Sequence, residues 1–141
     1  MEYDLSRFTE AQHMDYARAL SEIKAGRKRS HWIWYIFPQL KGLGESDKSW
    51  FYGIADLGEA RAFLADPYLG GNLREICAAL LSLDCSNPYV VMEYPDPLKL
   101  CSSMTLFKYA DGTQNNIFDA VLQKFYGGRE DGTTKHMLGL G

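Results

Sequence analysis

A chain of 141 residues, 46% hydrophobic and 23% charged, has the size and make-up of one globular domain. Such a chain buries roughly two-thirds of the surface its unfolded form exposes, so it needs neither a disulfide nor a metal to hold together. A net charge of −3 excludes a uniformly basic surface that would draw nucleic acid or an anionic membrane, and leaves room only for a local basic patch.

From the N-terminus, the acidic start is not a signal peptide, and no apolar run approaches the roughly 20 residues that cross a bilayer, so a cytoplasmic location is expected. Thr9, Glu10, Ala11 and Gln12 match a capping box. They predict a helix from Thr9 to about Ala25, with Tyr16, Leu20 and Ile23 on one face and Gly26 as its stop. A basic cluster follows, and Ser30 then reads as the cap of a second helix, His31 to Phe37, ended by Pro38. That segment is apolar all round, which predicts a helix buried on every side at the centre of the fold. A strand is the competing reading, because aromatic and β-branched residues also favour sheets.

Gln39 to Glu45 reads as a loop with two glycine hinges, and Ser46 as the cap of a short helix carrying Trp50, Phe51 and Tyr52. Asp56 with Glu59 predicts a helix through Leu64 that stops before Pro67. Pro67 opens a longer helix to about Leu83, with Leu73, Ile76, Cys77, Leu80 and Leu81 as its apolar stripe. Asn87 to Pro95 is ambiguous between a short helix and an extended piece. Asp96 and Pro97 predict the cap and first turn of a helix to about Tyr109, and a further helix runs from Asn116 to Tyr126 before Gly127 and Gly128. Asp131 to Leu138 predicts one or two final turns. The fold class is therefore all-α: one multi-helical domain, residues 1–141, of about seven or eight helices around a central aromatic helix.

Chemistry concentrates in two places. Lys24, Arg27, Lys28 and Arg29 stand before the predicted helix start at Ser30, where free backbone N–H groups and the helix dipole favour an anion and guanidinium groups add bidentate bonds. This predicts a phosphate or carboxylate site, against the plainer reading of a solvated turn. His31, with Trp34 and Tyr35 at helical spacing, is either the wall of a pocket or a core histidine with a backbone partner. The second concentration is Lys99, Ser102, Ser103 and Thr105. An amine beside two serines is the pattern of a serine–lysine nucleophile, but that chemistry needs a desolvated, neutral lysine, and helical hydroxyls more often bond the preceding turn's carbonyl.

Other features read as structural. Cys77, Cys85 and Cys101 are odd in number and lack CxxC spacing, which argues for reduced thiols over a disulfide framework or zinc knuckle. Cys77 lies in an apolar stripe and reads as a packed thiol. The glycine-rich stretch from Gly127 to Thr134 lacks phosphate-loop spacing. His13 and His136 form no HxxxH or HExxH pattern, so neither a metal nor a cofactor is indicated.

Several of these segments match a known pattern: Arg7 and Phe8 with Ala11, Gln12 and Tyr16; the block SHWIWYIFPQL from Ser30 to Leu40, with Gly42, Leu43, Gly44 and Ser46; Tyr52, Gly53 and Ile54; Leu69 and Gly70; and Asp96, Lys99 and Leu100 with Ser102 to Phe107. In these the chain resembles the family called domain of unknown function 1810, mainly bacterial and sometimes mislabelled calpastatin. The resemblance spans nearly the whole chain and implies a single all-α, multi-helical domain; it implies no activity. The calpastatin label gains no support, because inhibitory calpastatin segments are disordered and this composition is that of a packed domain. Members tend to carry Ile-Phe-Gly before the aspartate, where this chain has Met92-Glu93-Tyr94-Pro95. A pocket lined by that turn would hold its ligand differently here.

Two functions follow as expectations. The first is binding or processing of a small anionic ligand, phosphorylated or nucleotide-like, by Arg27, Arg29, His31, Trp34, Gln39, Lys99, Ser102, Ser103 and Thr105, provided these residues open into one hollow. The alternative is a non-catalytic protein-interaction module that presents Trp50, Phe51 and Tyr52 to a partner. No reaction and no oligomeric state can be read from the residues.

Overall fold

The structure is a computed structural model and describes residues 3–140. Among the described residues it contains nine helices: α1 (Ser6–Lys24), α2 (Ile33–Ile36), α3 (Asp47–Phe51), α4 (Leu57–Ala65), α5 (Pro67–Leu81), α6 (Pro88–Val91), α7 (Asp96–Asp111), α8 (Ile117–Tyr126) and α9 (Gly132–Met137). A parallel bridge between Leu40 and Ile54 stands in place of any sheet. The all-α reading holds, with one or two short helices more than expected. None of the helices is long and apolar enough to cross a membrane.

Helices with a polar residue just ahead of them begin where local chemistry dictates. The side chains of Ser46, Asp56 and Asn116 accept the N–H groups of Ser49, Glu59 and Asp119, each satisfying a donor that the first turn leaves free. Asp66, Asn87 and Asp131 do the same for α5, α6 and α9. Gly112 ends α7 with φ of 73°, a left-handed conformation that costs a side-chain-bearing residue more.

Three expected starts are corrected. α1 begins at Ser6, whose N–H is taken by Asp4; Thr9 lies a turn inside, its hydroxyl donating to the Leu5 carbonyl. Gln12 does not close a capping box, because its amide is buried and committed elsewhere, donating to the Tyr35 carbonyl at 2.8 Å and accepting from Asn72 at 3.0 Å. The second helix shrinks to Ile33–Ile36, since Ser30 is drawn away to Glu22 and caps nothing. Asp96 is the first helical residue of α7, not its cap.

α7 occupies the centre, packed against α4 and α8 on two sides, with α2 and α9 along its length. The expectation that the aromatic segment is buried on every side is corrected in one respect: Trp32, Ile33, Tyr35, Ile36 and Phe37 are buried, but Trp34 is half-buried and faces outward beside α7. A chain of aromatic rings ties the helices together. Phe8 of α1 meets Phe63 of α4 at 5.2 Å, Phe63 meets Phe107 of α7 at 5.3 Å, and Phe107 meets Phe118 of α8 at 5.8 Å. Each such pair is worth about 0.5–1.5 kcal/mol beyond the area it buries. This rigid interior leaves the turn after α1 and the segment before α7 side by side at the surface.

Candidate functional site

The turn from Arg27 to Trp32 is built around one carboxylate. Glu22, on the last turn of α1, accepts from the backbone N–H groups of Arg29 at 2.8 Å and Ser30 at 2.9 Å, the Ser30 hydroxyl at 2.6 Å and the Trp32 indole N–H at 2.8 Å. Burial alone would raise the Glu22 pKa, but these bonds outweigh it and hold the carboxyl down to about 2. The expected anion site of free N–H groups is thereby corrected: the protein's own carboxylate uses those donors, and α2 is a single turn long.

What the turn does present is side chains. A hollow of about 480 Å³ lies between it and the segment leading into α7, with Arg27, Lys28, Arg29 and His31 on one wall and Tyr94, Asp96 and Lys99 on the other. The backbone N–H of Lys28 donates to the Val91 carbonyl at 2.7 Å, which fixes the two walls together. Asp96 pairs with Lys28 at 2.8 Å and with Lys99 at 3.3 Å, and Glu93 pairs with Arg27 at 3.3 Å at the exposed rim. Four cations and two carboxylates thus line the hollow. Among the described residues Arg29 forms no ion pair. His31 is exposed on this wall, so the core-histidine reading is set aside.

A second hollow, about 250 Å³, adjoins the first, and Pro95 and Lys99 border both. Trp34, Gln39 and Ser102 line it, with Leu43, Leu98, Asp131 and Thr133 completing the walls. The Lys99 ammonium lies 4.1 Å from the centroid of the Trp34 ring. Gln39 is only 9% exposed, and its amide nitrogen is buried without a hydrogen-bond partner among the described residues. An orphaned polar group of this kind costs about 1–3 kcal/mol. Ser102 donates to the Leu98 carbonyl at 3.1 Å, the back-bond common for a helical hydroxyl.

Of the nine expected site residues, Arg27, Arg29, His31, Trp34, Gln39, Lys99 and Ser102 therefore border two contiguous hollows. Ser103 and Thr105 do not; both are fully buried on the inward faces of α7. Thr105 donates to the Cys101 carbonyl at 2.8 Å and accepts the Asp131 N–H at 2.9 Å, so it anchors the turn before α9 instead. Nor does the lysine suit nucleophile activation: Lys99 lies against Asp96, not in the dry, carboxylate-free setting a serine–lysine pair requires. Glu22, Asp96 and Tyr94 were absent from the expected set. A carboxylate five residues before a basic turn carries no recognisable motif, and only the folded turn reveals its role.

Comparison with known proteins bears on the whole chain. Residues 2–138 match the model of the family described as protein of unknown function, DUF1810. The crystal structure of the conserved hypothetical protein Rv1873 from Mycobacterium tuberculosis is similar, with 44% identity, a TM-score of 0.93 and 99% of each chain covered. Comparison with curated proteins gives no match. With the family model covering all but the chain's extremities, and a solved relative of the same fold at that identity, this protein belongs to the DUF1810 family.

Proposed function

We propose that this protein binds a small anionic ligand, phosphorylated or carboxylated, in the hollow between the Arg27–Trp32 turn and the Tyr94–Lys99 segment. The observation that carries the reading is the excess of positive charge there. Arg27, Lys28, Arg29 and Lys99 share its walls with Glu93 and Asp96, and the Glu22 carboxylate is bound to the turn's backbone, in a chain whose overall charge is −3. Asp96 is committed to the two lysines, which leaves the unpaired Arg29 guanidinium as the group with donors to offer in a planar fork suited to phosphate or carboxylate. His31 supplies a further donor at the rim.

The test is thermal unfolding with inorganic phosphate or pyrophosphate at millimolar concentration, against sodium chloride of equal ionic strength. A ligand that binds the folded state raises Tm in proportion to RT ln(1 + [L]/Kd). The anions are expected to raise Tm, and Arg29→Ala to remove most of that rise. No rise with either anion, or an equal rise in Arg29→Ala, refutes the reading.

A second reading rests on Trp50 and Phe51, which are 51% and 59% exposed and lie outside both hollows. Exposed aromatic side chains are frequent anchors at protein interfaces. Tyr52 contributes less, being half-buried with its ring tilted against Tyr35 at 5.1 Å. Solution mass and partner capture, compared between wild type and Trp50→Ala, decide it: a monomer with unchanged capture removes it.

A further inference from the structure

The second hollow differs in chemistry from the first. Its one cation, Lys99, is already paired with Asp96, and its far wall carries the Asp131 carboxylate, so it is unsuited to a second anion. Leu43, Leu98, Pro95 and the flank of Trp34 give it apolar sides, the lining that receives a flat, uncharged group. Asp131 uses Oδ2 to cap α9, accepting from the Thr134 N–H at 2.9 Å and the Thr134 hydroxyl at 2.6 Å, and Oδ1 has no partner among the described residues.

Gln39 is the second, independent observation. Buried amides are normally paired, yet this residue lines the hollow, 9% exposed, with its amide nitrogen enclosed and unpartnered among the described residues. A glutamine amide carries a donor and an acceptor side by side. Once the side chain turns to bring both to the hollow, it forms two parallel hydrogen bonds with a ring edge bearing the opposite pair, as nucleobases do.

Adjacency links the two sites. Pro95 and Lys99 border both hollows, so the two lie side by side, and a ligand that occupies both passes over these two residues. Building on the anionic reading of the first hollow, we propose that the second receives the planar heterocycle of the same ligand, so that the ligand class is a nucleoside monophosphate with its base edge on Gln39 and its phosphate toward Arg29.

Titration calorimetry on the full chain tests this with ribose 5-phosphate, the adenosine, cytidine and guanosine 5′-monophosphates, and the three unphosphorylated nucleosides. At least one nucleotide is expected to bind about tenfold or more tightly than ribose 5-phosphate, the gain of one well-made buried hydrogen bond. Gln39→Leu is expected to bring that nucleotide down to the level of ribose 5-phosphate, with ribose 5-phosphate binding itself unchanged. Nucleotides that bind wild type no better than ribose 5-phosphate overturn the inference without recourse to any variant, as does a nucleotide affinity indifferent to Gln39→Leu. Failure of the anionic reading looks different: ribose 5-phosphate then fails to bind, and nucleosides match their nucleotides.

Discussion

Removing the Glu22 carboxylate tests whether that one group organises the basic turn. Glu22→Ala deletes the acceptor of four hydrogen bonds, each to a charged group and so worth about 1.5–3 kcal/mol at most. The full sum is not lost, because Arg29 is exposed and Ser30 half-buried, and water replaces much of what their donors lose. The Trp32 indole N–H belongs to a fully buried residue and is left orphaned, at about 2 kcal/mol, and the other donors add about 1 kcal/mol. For 141 residues the unfolding entropy is about 0.3 kcal/mol/K, so a loss of about 3 kcal/mol lowers Tm by about 10 K in a calorimetric scan. Glu22→Gln keeps the shape but loses the charge, and about half the effect is expected, since charge-assisted bonds are about twice as strong as neutral ones. The folded-state pKa of Glu22 is depressed to about 2 from 4.5, so its stabilisation is complete above pH 4.5 and fades as pH falls toward 2. The gap between wild type and Glu22→Gln should therefore close over that interval. A Glu22→Ala protein that melts within about 3 K of wild type, or a gap that stays constant on acidification, refutes the reasoning.

Three other predictions are independent of any ligand. Gly70→Ala would set a Cβ 2.1 Å from the Leu64 carbonyl oxygen at the α4–α5 junction and should cost about 1–3 kcal/mol. Gly71→Ala meets nothing within 4 Å and should gain about 0.5–1 kcal/mol, so paired denaturant titrations giving the same sign for both contradict the packing described. Gln39→Leu, which removes the orphaned amide, should raise the Tm of the unliganded protein by about 3 K, the equivalent of about 1 kcal/mol; a lower Tm means that the amide has a partner. In thiol labelling of the native protein at pH 8, Cys77 should remain unmodified because it is fully buried, and Cys101 should react slowly because burial, helped by Asp131, pushes its thiol up to about 11. Labelling of native Cys77 at the rate seen in urea counts against this burial.

The elements legible in the sequence were those whose cause is local. Ser46, Asp56 and Asn116 cap their helices by accepting N–H groups three residues away, a range over which pattern and physics coincide. The failures came where a distant residue claimed the group. Thr9 and Gln12 have the spacing of a capping box, but Tyr35 and Asn72 need the Gln12 amide; Ser30 has the chemistry of a cap, but Glu22 takes its hydroxyl. The candidate site shows the same division. Its residue types were visible, but which faces of α7 would be enclosed was not, since Ser102, Ser103 and Thr105 are alike in polarity and only packing by α4, α8 and α9 sends Ser103 and Thr105 inward. The apolar centre was assigned to the aromatic run, whereas α7, with its mixed composition, fills it: Ser102 and Thr105 bond carbonyls one turn back, and the buried Ser103 hydroxyl has no partner among the described residues.

Asp96 serves two ammonium groups that come from different parts of the chain, Lys28 after α1 and Lys99 on α7. The Lys28 side chain is only 6% exposed, so drawing α7 away from the basic turn would strand an enclosed cation without its counter-ion. The cleft accordingly has a stiff frame and two arginine arms at its edge, Arg27 paired with Glu93 at 3.3 Å and Arg29 with no ion pair among the described residues. What size of guest it admits is then governed by the reach of those arms, and exchanging arginine for a shorter residue there would retune capacity while leaving the scaffold intact.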